Sequence, residues 1–270
     1  TEFKRLVSDS DGVTEIEKMV KTLRVIEEQI PTITFQDIAQ RMMRHVTDNL
    51  SKEIFSGYDT NQINILVCKI MGEIIMTCFD KDEVPGPDTD MALVQKDLAD
   101  YGAVHLVCLV IAEGKNEDLI KEVCEFGQRL LKDGNKHVQK KFFEYFKKNK
   151  QFQFFYRCST FINKGVTLVQ DRRKQRKIGG DVDETESVGD KVTELLRLLM
   201  EGHYRKMQNT LRVQDMNKKS FNIVDDVVNV ISVMCDSNEI RCMNSNDIDD
   251  AIVMFDFITE SVQGPCLKNP

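Results

Sequence analysis

LLRLLMEGHYRKMQNTLRVQ, residues 195–214, opens as a leucine-dense run, meets Gly202 and continues as a polar run carrying Gln208, Asn209 and Arg212. Leu195, Leu198 and Leu199 recur at helical spacing, as do Met207 and Leu211, so the stretch reads as two short helices sharing an apolar side, turned at the glycine. Packing accounts for the leucines. The polar string from His203 to Gln214 exceeds what packing requires, and its amides and guanidinium are suited to tying helices together through bonds to exposed turn carbonyls.

The same period extends outward along the chain. Val13, Ile16, Val20, Leu23 and Ile26 or Ile30 predict a helix that Pro31 stops; Phe35, Ile38, Ala39, Met42, Met43, Val46 and Leu50 predict a second. Ile63 to Ile75 marks a third, apolar enough to be central. The loop DKDEVPGPDTD breaks the series, after which short helices are separated at Gly102, Gly114 and Asp133–Asn135, the last of them before Asp133 carrying Leu119, Ile120, Val123, Phe126 and Leu130. Phe221, Val224, Val227 or Val228 and Ile231 share one face, and Ile248, Ile252, Phe255 and Ile258 another. Strand alternation is absent throughout. The reading is all-α, a stacked helical array of armadillo-like solenoid type with no sheet.

Its expected divisions are an N-terminal block over 1–168, a charged disordered linker over 169–190 and a C-terminal helical block over 191–270. The linker combines a basic block, Arg172, Arg173, Lys174, Arg176 and Lys177, with the acids Asp181, Asp183, Glu184 and Glu186. It reads as a polar extension of the preceding helix running into a segment with little to bury. A nuclear-localisation or anionic-lipid patch is the sharper alternative, weakened by the adjacent acids.

Composition excludes several classes of function. A formal charge of −7 argues against general nucleic-acid binding, and Phe142, Phe143 and Phe146 of KKFFEYFKKNKQFQFFYR fall on one helical face with the lysines opposite, as in a core helix. The eight cysteines form no CxxC and mostly sit in apolar runs, as core thiols of a reducing compartment do. The most apolar stretch, INILVCKIMGEIIM, is broken by Lys69 and Glu73 and too short to span a bilayer. The start, TEFKRLVSDS, lacks a signal-peptide core and an initiator Met, as expected for a piece of a larger protein.

The sequence carries no recognisable reactive constellation. His45, His105, His137 and His203 are scattered, and SDSDGVTEIEK fails as a calcium loop, with Val7 at the first ligand position and Lys18 at the last. No phosphate loop or nucleophile elbow occurs, and Cys124 with His137 lacks an orienting third group. The expectation is a chain that is not an enzyme, with no cofactor and no metal ligands.

Beyond periodicity, the opening stretch resembles a pattern of the intracellular calcium-release channels, the inositol 1,4,5-trisphosphate and ryanodine receptors. There a Leu-rich helix runs into Cys-Glu-(Asn/Gly)-His-Asn and then Gln-Asn-x-Leu-Arg-x-Gln. Glu201, His203, Gln208, Asn209, Leu211, Arg212 and Gln214 match, while Met200 and Tyr204 depart. FNIVDDVVNVI is similar to the following helix. TESVQGPC matches through Thr259, Glu260, Gln263, Gly264, Pro265 and Cys266. Upstream, LLKDGNKHVQKKFFEYF is similar to Leu-Leu-x-Gly-Gly-Asn-x-x-Val-Gln-x-x-Phe through Asn135, Val138 and Gln139, with Asp133 where the first Gly often stands.

The ordered matches run from about Leu93 to Pro270. A long glycine-rich insertion of the family is replaced here by CDSNEIRCMNSND, and the short connection after FFYR favours the trisphosphate receptor. The resemblance implies a cytosolic regulatory region between ligand-binding part and pore, in a homotetrameric endoplasmic-reticulum channel. Its partners would be other domains and subunits and a possible cytosolic protein, without membrane contact by this segment. A free-standing armadillo-type adaptor is the alternative reading.

Overall fold

A computed structural model describes residues 34–52, 54–55, 58–149, 151–182, 185–215, 217–237 and 240–264. The helix expected over 13–30 lies outside them. Eleven α-helices occur among the described residues: α1 (Phe35–Asn49), α2 (Thr60–Met76), α3 (Asp90–Tyr101), α4 (Ala103–Glu113), α5 (Glu117–Leu131), α6 (Lys136–Asn149), α7 (Phe152–Lys177), α8 (Val188–Met200), α9 (Arg205–Arg212), α10 (Ile223–Met234) and α11 (Ser245–Val262). The fold is the expected all-α array. Extended pairing among the described residues is confined to Ile54–Phe55 against Tyr58–Asp59, a closed turn rather than a layer.

Helix starts follow local chemistry. Thr34 and Asp37 form a reciprocal capping box at α1, as do Ser187 and Asp190 at α8 and Asn244 and Asp247 at α11. Gly102, at φ 119, ends α3 in the left-handed conformation and starts α4 at once.

The chain divides into two compact units between Lys141 and Phe142, inside α6. In the first unit α2 packs along α5, with α1, α3 and α4 around them. Its core is the apolar series read from the sequence: Ile70, Met71, Ile75, Leu119, Ile120, Val123, Phe126 and Leu130 are all at most 1% exposed. In the second unit α7 is flanked by α8 and α10, and α11 covers the pair.

Two faces differ from the sequence reading. On α10 the buried set is Ile223, Val224, Val227, Val230 and Met234; Val228 is exposed and Ile231 only half-buried. On α11 the buried set is Asp247, Ala251, Met254, Phe257 and Ser261, while Ile248, Ile252 and Phe255 stand in solvent. The rotation of α11 is set at its N-terminus, where Asp247, buried by its bonds to Arg176, turns inward.

The basic block is also corrected. Residues 169–177 are the last turns of α7, and Arg172 and Arg173 are 3% and 5% exposed. A buried guanidinium requires partners, and each has them. The segment packs through these two arginines, while Lys174 and Lys177 stay exposed.

Helix α8 comes close to α7 at Gly189, where a Cβ would stand 2.7 Å from the Phe161 carbonyl oxygen. Gly189→Ala is therefore expected to destabilise the chain by about 1–2 kcal/mol in urea unfolding, even though Ala is the better helix former.

Candidate functional site

An α-helix leaves its last carbonyls without intrahelical donors, and a short-helix array buries many such ends. Three of the residues singled out from the sequence, Asn135, Gln208 and Gln214, are placed where these ends must be met. They form two separate knots, one in each compact unit.

The knot in the first unit is built on Asn135 and Gln95. Asn135 caps α6, its Oδ1 accepting from the backbone N–H groups of His137 (3.1 Å) and Val138 (3.2 Å). Its Nδ2 donates to the Ala92 carbonyl (3.2 Å) and to Gln95 Oε1 (2.8 Å). Gln95, 1% exposed, donates in turn to the carbonyls of Arg129 (2.8 Å) and Lys132 (3.2 Å) at the end of α5. Val138 and Gln139 are buried on the same helix. Asp133 stands at φ 61, ψ 26, a left-handed conformation that explains why glycine fits this position well. Gln95 was not singled out from sequence; only its place one turn into a capped helix, facing the motif asparagine, reveals it.

A cleft of about 570 Å³ opens beside this knot, lined among others by Pro85, Thr89, Lys96, Lys132 and His137. Its charges are of both signs, and the Lys132 ammonium is engaged over the Phe79 ring at 4.5 Å.

The knot in the second unit is the turn between α8 and α9 with the end of α11. Gly202 and His203 are consecutive left-handed residues, at φ 72 and 63. They reverse the chain within Glu201–Tyr204. A Cβ on Gly264, itself at φ 81, would lie 3.4 Å from His203 Cβ, so the tail after α11 runs against the turn.

Gln208, 1% exposed, donates through Nε2 to the carbonyls of Glu260 (2.7 Å) and Gln263 (2.9 Å), the unmet end of α11. Gln214 does the same for the connection to α10. Its Nε2 donates to the carbonyls of Thr210 (2.6 Å) and Phe221 (2.9 Å), and its Oε1 accepts from Ser220 Oγ and the Phe221 N–H. Leu211 is fully buried beneath them.

Other motif residues behave differently. Arg212 was expected to tie helices; it is 9% exposed, yet its Nε and Nη2 are buried without a hydrogen-bond partner. Glu201 lies 3.8 Å from Arg197, a partly exposed pair, and Asn209 is half-buried on α9. Pro265 and Cys266 lie outside the described residues. Phe142 and Phe146 are buried as a core reading requires, while Phe143 meets Tyr204 edge-on at 6.2 Å with Lys206 above it.

A third cluster, unforeseen, joins α7 to α11 and α10. Arg172 pairs with Asp250 (2.9 Å) and donates to the Thr185 carbonyl (2.6 Å). Arg176 donates through Nη2 to both oxygens of Asp247, at 2.9 and 2.8 Å. Arg173 donates to the carbonyls of Val233 (2.9 Å) and Met234 (2.5 Å), the end of α10. Burial, reinforced by the Asp190 carboxylate, pushes Asp250 up to about 6 against the pull of Arg172. Asp190 is raised as well, chiefly by burial, despite its bonds to Ser187.

The arrangement holds backbone ends and pairs charges. Among the described residues no group of three or more His, Cys, Asp or Glu could hold a metal ion, and no helix is long and apolar enough to cross a membrane. Cys68, Cys108, Cys124 and Cys158 are buried, and burial raises the pKa of the Cys68 and Cys108 thiols.

Residues 183–270 match the family described as RyR and IP3R Homology associated. The second knot lies wholly within that span. The match supports the family of ryanodine and inositol trisphosphate receptors as a whole.

Gln208→Leu keeps the volume but strips two buried carbonyls of their donor, and is expected to cost about 1–3 kcal/mol in thermal or urea unfolding. Asp250 gives a pH signature. Its folded pKa lies above its unfolded one, so its favourable contribution is complete below about pH 4 and is lost as pH rises through 6. Asp250→Asn should flatten the fall in stability between about pH 4 and 6, measured by urea unfolding across that range.

Proposed function

We propose that this chain is a non-catalytic regulatory and coupling segment of an inositol 1,4,5-trisphosphate-gated calcium-release channel, on the cytosolic side of the endoplasmic-reticulum membrane. The observation that carries the reading is the second knot. The polar residues that mark the calcium-channel motif, Gln208 and Gln214, are spent on helix ends rather than offered to a ligand. The family match over 183–270 supports the same reading.

Helices fastened end to end in this way move as bodies. A tilt imposed at one end of such a block reaches its neighbours through hydrogen-bonded ends and interlocked apolar faces, which resist continuous deformation. In a homotetrameric channel the segment would pass a ligand-driven displacement toward the gate through contacts with other domains and subunits. The trisphosphate receptor is preferred over the ryanodine receptor because α7, which contains FFYR at 154–157, runs on without a break into the charged segment.

The test is Gln208→Leu in the full channel, with trisphosphate binding and evoked calcium release measured on the same membranes. Binding should be retained while release requires about fivefold more ligand or more, the lower range of ordinary allosteric coupling. Unchanged release with a properly assembled channel would overturn the reading. Release insensitive to trisphosphate in the parent channel would move it to the ryanodine branch.

A further inference from the structure

Among the described residues, helix α11 leaves an apolar strip uncovered. Ile248, Ile252, Phe255 and Val262 are 49, 51, 49 and 44% exposed, and Thr259 completes the row. The intervals are four, three, four and three residues, the spacing of a seam between two packed helices. Single exposed apolar residues are ordinary on a protein surface; four in register along one helix are not. The opposite side of α11 is already used, since Ala251, Met254 and Phe257 fill the core of its own unit.

Charge specifies the partner. Between Ser245 and Val262 there are five acids and no Lys, Arg or His. Asp247 and Asp250 point inward and are paired with Arg176 and Arg172. Asp249 and Asp256 remain exposed, each one position after a strip residue, in the place where helices packed side by side exchange interhelical salt bridges. Arg197 feels the field of Asp256 but keeps its hydrogen bonds for Glu194. A second copy laid on this face would bring acid against acid.

We infer that the outer face of α11 is a docking strip for a basic amphipathic helix, whose apolar residues repeat at alternating three- and four-residue intervals and whose flanks carry Lys or Arg. The apolar row supplies the contact area and the Asp249–Asp256 edge selects the sign of the partner. The inference stands on the exposure, register and charge of α11, independently of the channel reading.

The probes are two labelled synthetic helices of α11's length with leucine at seam positions, one with lysine elsewhere and one with glutamate, titrated against the full chain by fluorescence anisotropy. The lysine peptide should bind saturably and the glutamate peptide should not. Ile252→Ser with Phe255→Ser, half-exposed positions whose change should leave thermal melting intact, should weaken lysine-peptide binding by about tenfold or more. Asp249→Asn with Asp256→Asn should weaken it by about threefold and reduce its salt dependence. Asp82→Asn with Glu83→Gln, in the remote acidic loop, should leave it unchanged. Equal binding of both peptides, or binding unaffected by the serine pair, would overturn the proposal. So would a dimer in sedimentation equilibrium that the serine pair dissolves, since a second copy would then be the occupant.

Discussion

Every short helix buried in an array ends in carbonyls that nothing within the helix can satisfy, and an orphaned buried carbonyl costs about as much as a lost hydrogen bond. This chain meets that constraint the same way at several ends. Gln208 closes α11, Arg173 closes α10, Gln95 closes α5, and Gln214 holds the path from α9 to α10. In the first three a long side chain with two or more donors reaches from a different element, so meeting the local need also fixes which helices are neighbours.

The longest helix shows what this requires. The last turns of α7 are rich in arginine and would ordinarily be solvated, yet Arg172 and Arg173 are buried and Arg176 partly so, because each guanidinium finds an acid or a helix end. Buried ion pairs add little net stability by themselves, but losing one partner strands the other, so they enforce geometry. Here they set the rotation of α11. With Asp247 held inward by Arg176, the larger apolar row of α11 is turned outward and becomes surface.

What the sequence revealed and what it concealed follow from the range of the interactions. The faces of α2 and α5 were legible because period and burial agree with no competing partner. The turn at Gly202 and the tying role of Gln208 were legible because their polarity exceeded what packing needs. The basic block was misjudged since its acids lie 71 and 78 residues further on. The face of α11 was misjudged since two apolar rows compete on one helix and the bulkier one loses to a distant ion pair. Gln95 carried no signal of its own. Arg212 shares the motif's polarity but not its bonding.

The central claim is that side-chain amides at helix ends hold the second unit together as one body. Hydrogen–deuterium exchange on the full chain and on Gln208→Leu tests it most directly. The account predicts faster exchange spreading through α9 and the whole of α11, with the first unit unchanged. Acceleration confined to the last turn of α11, or none, would contradict it.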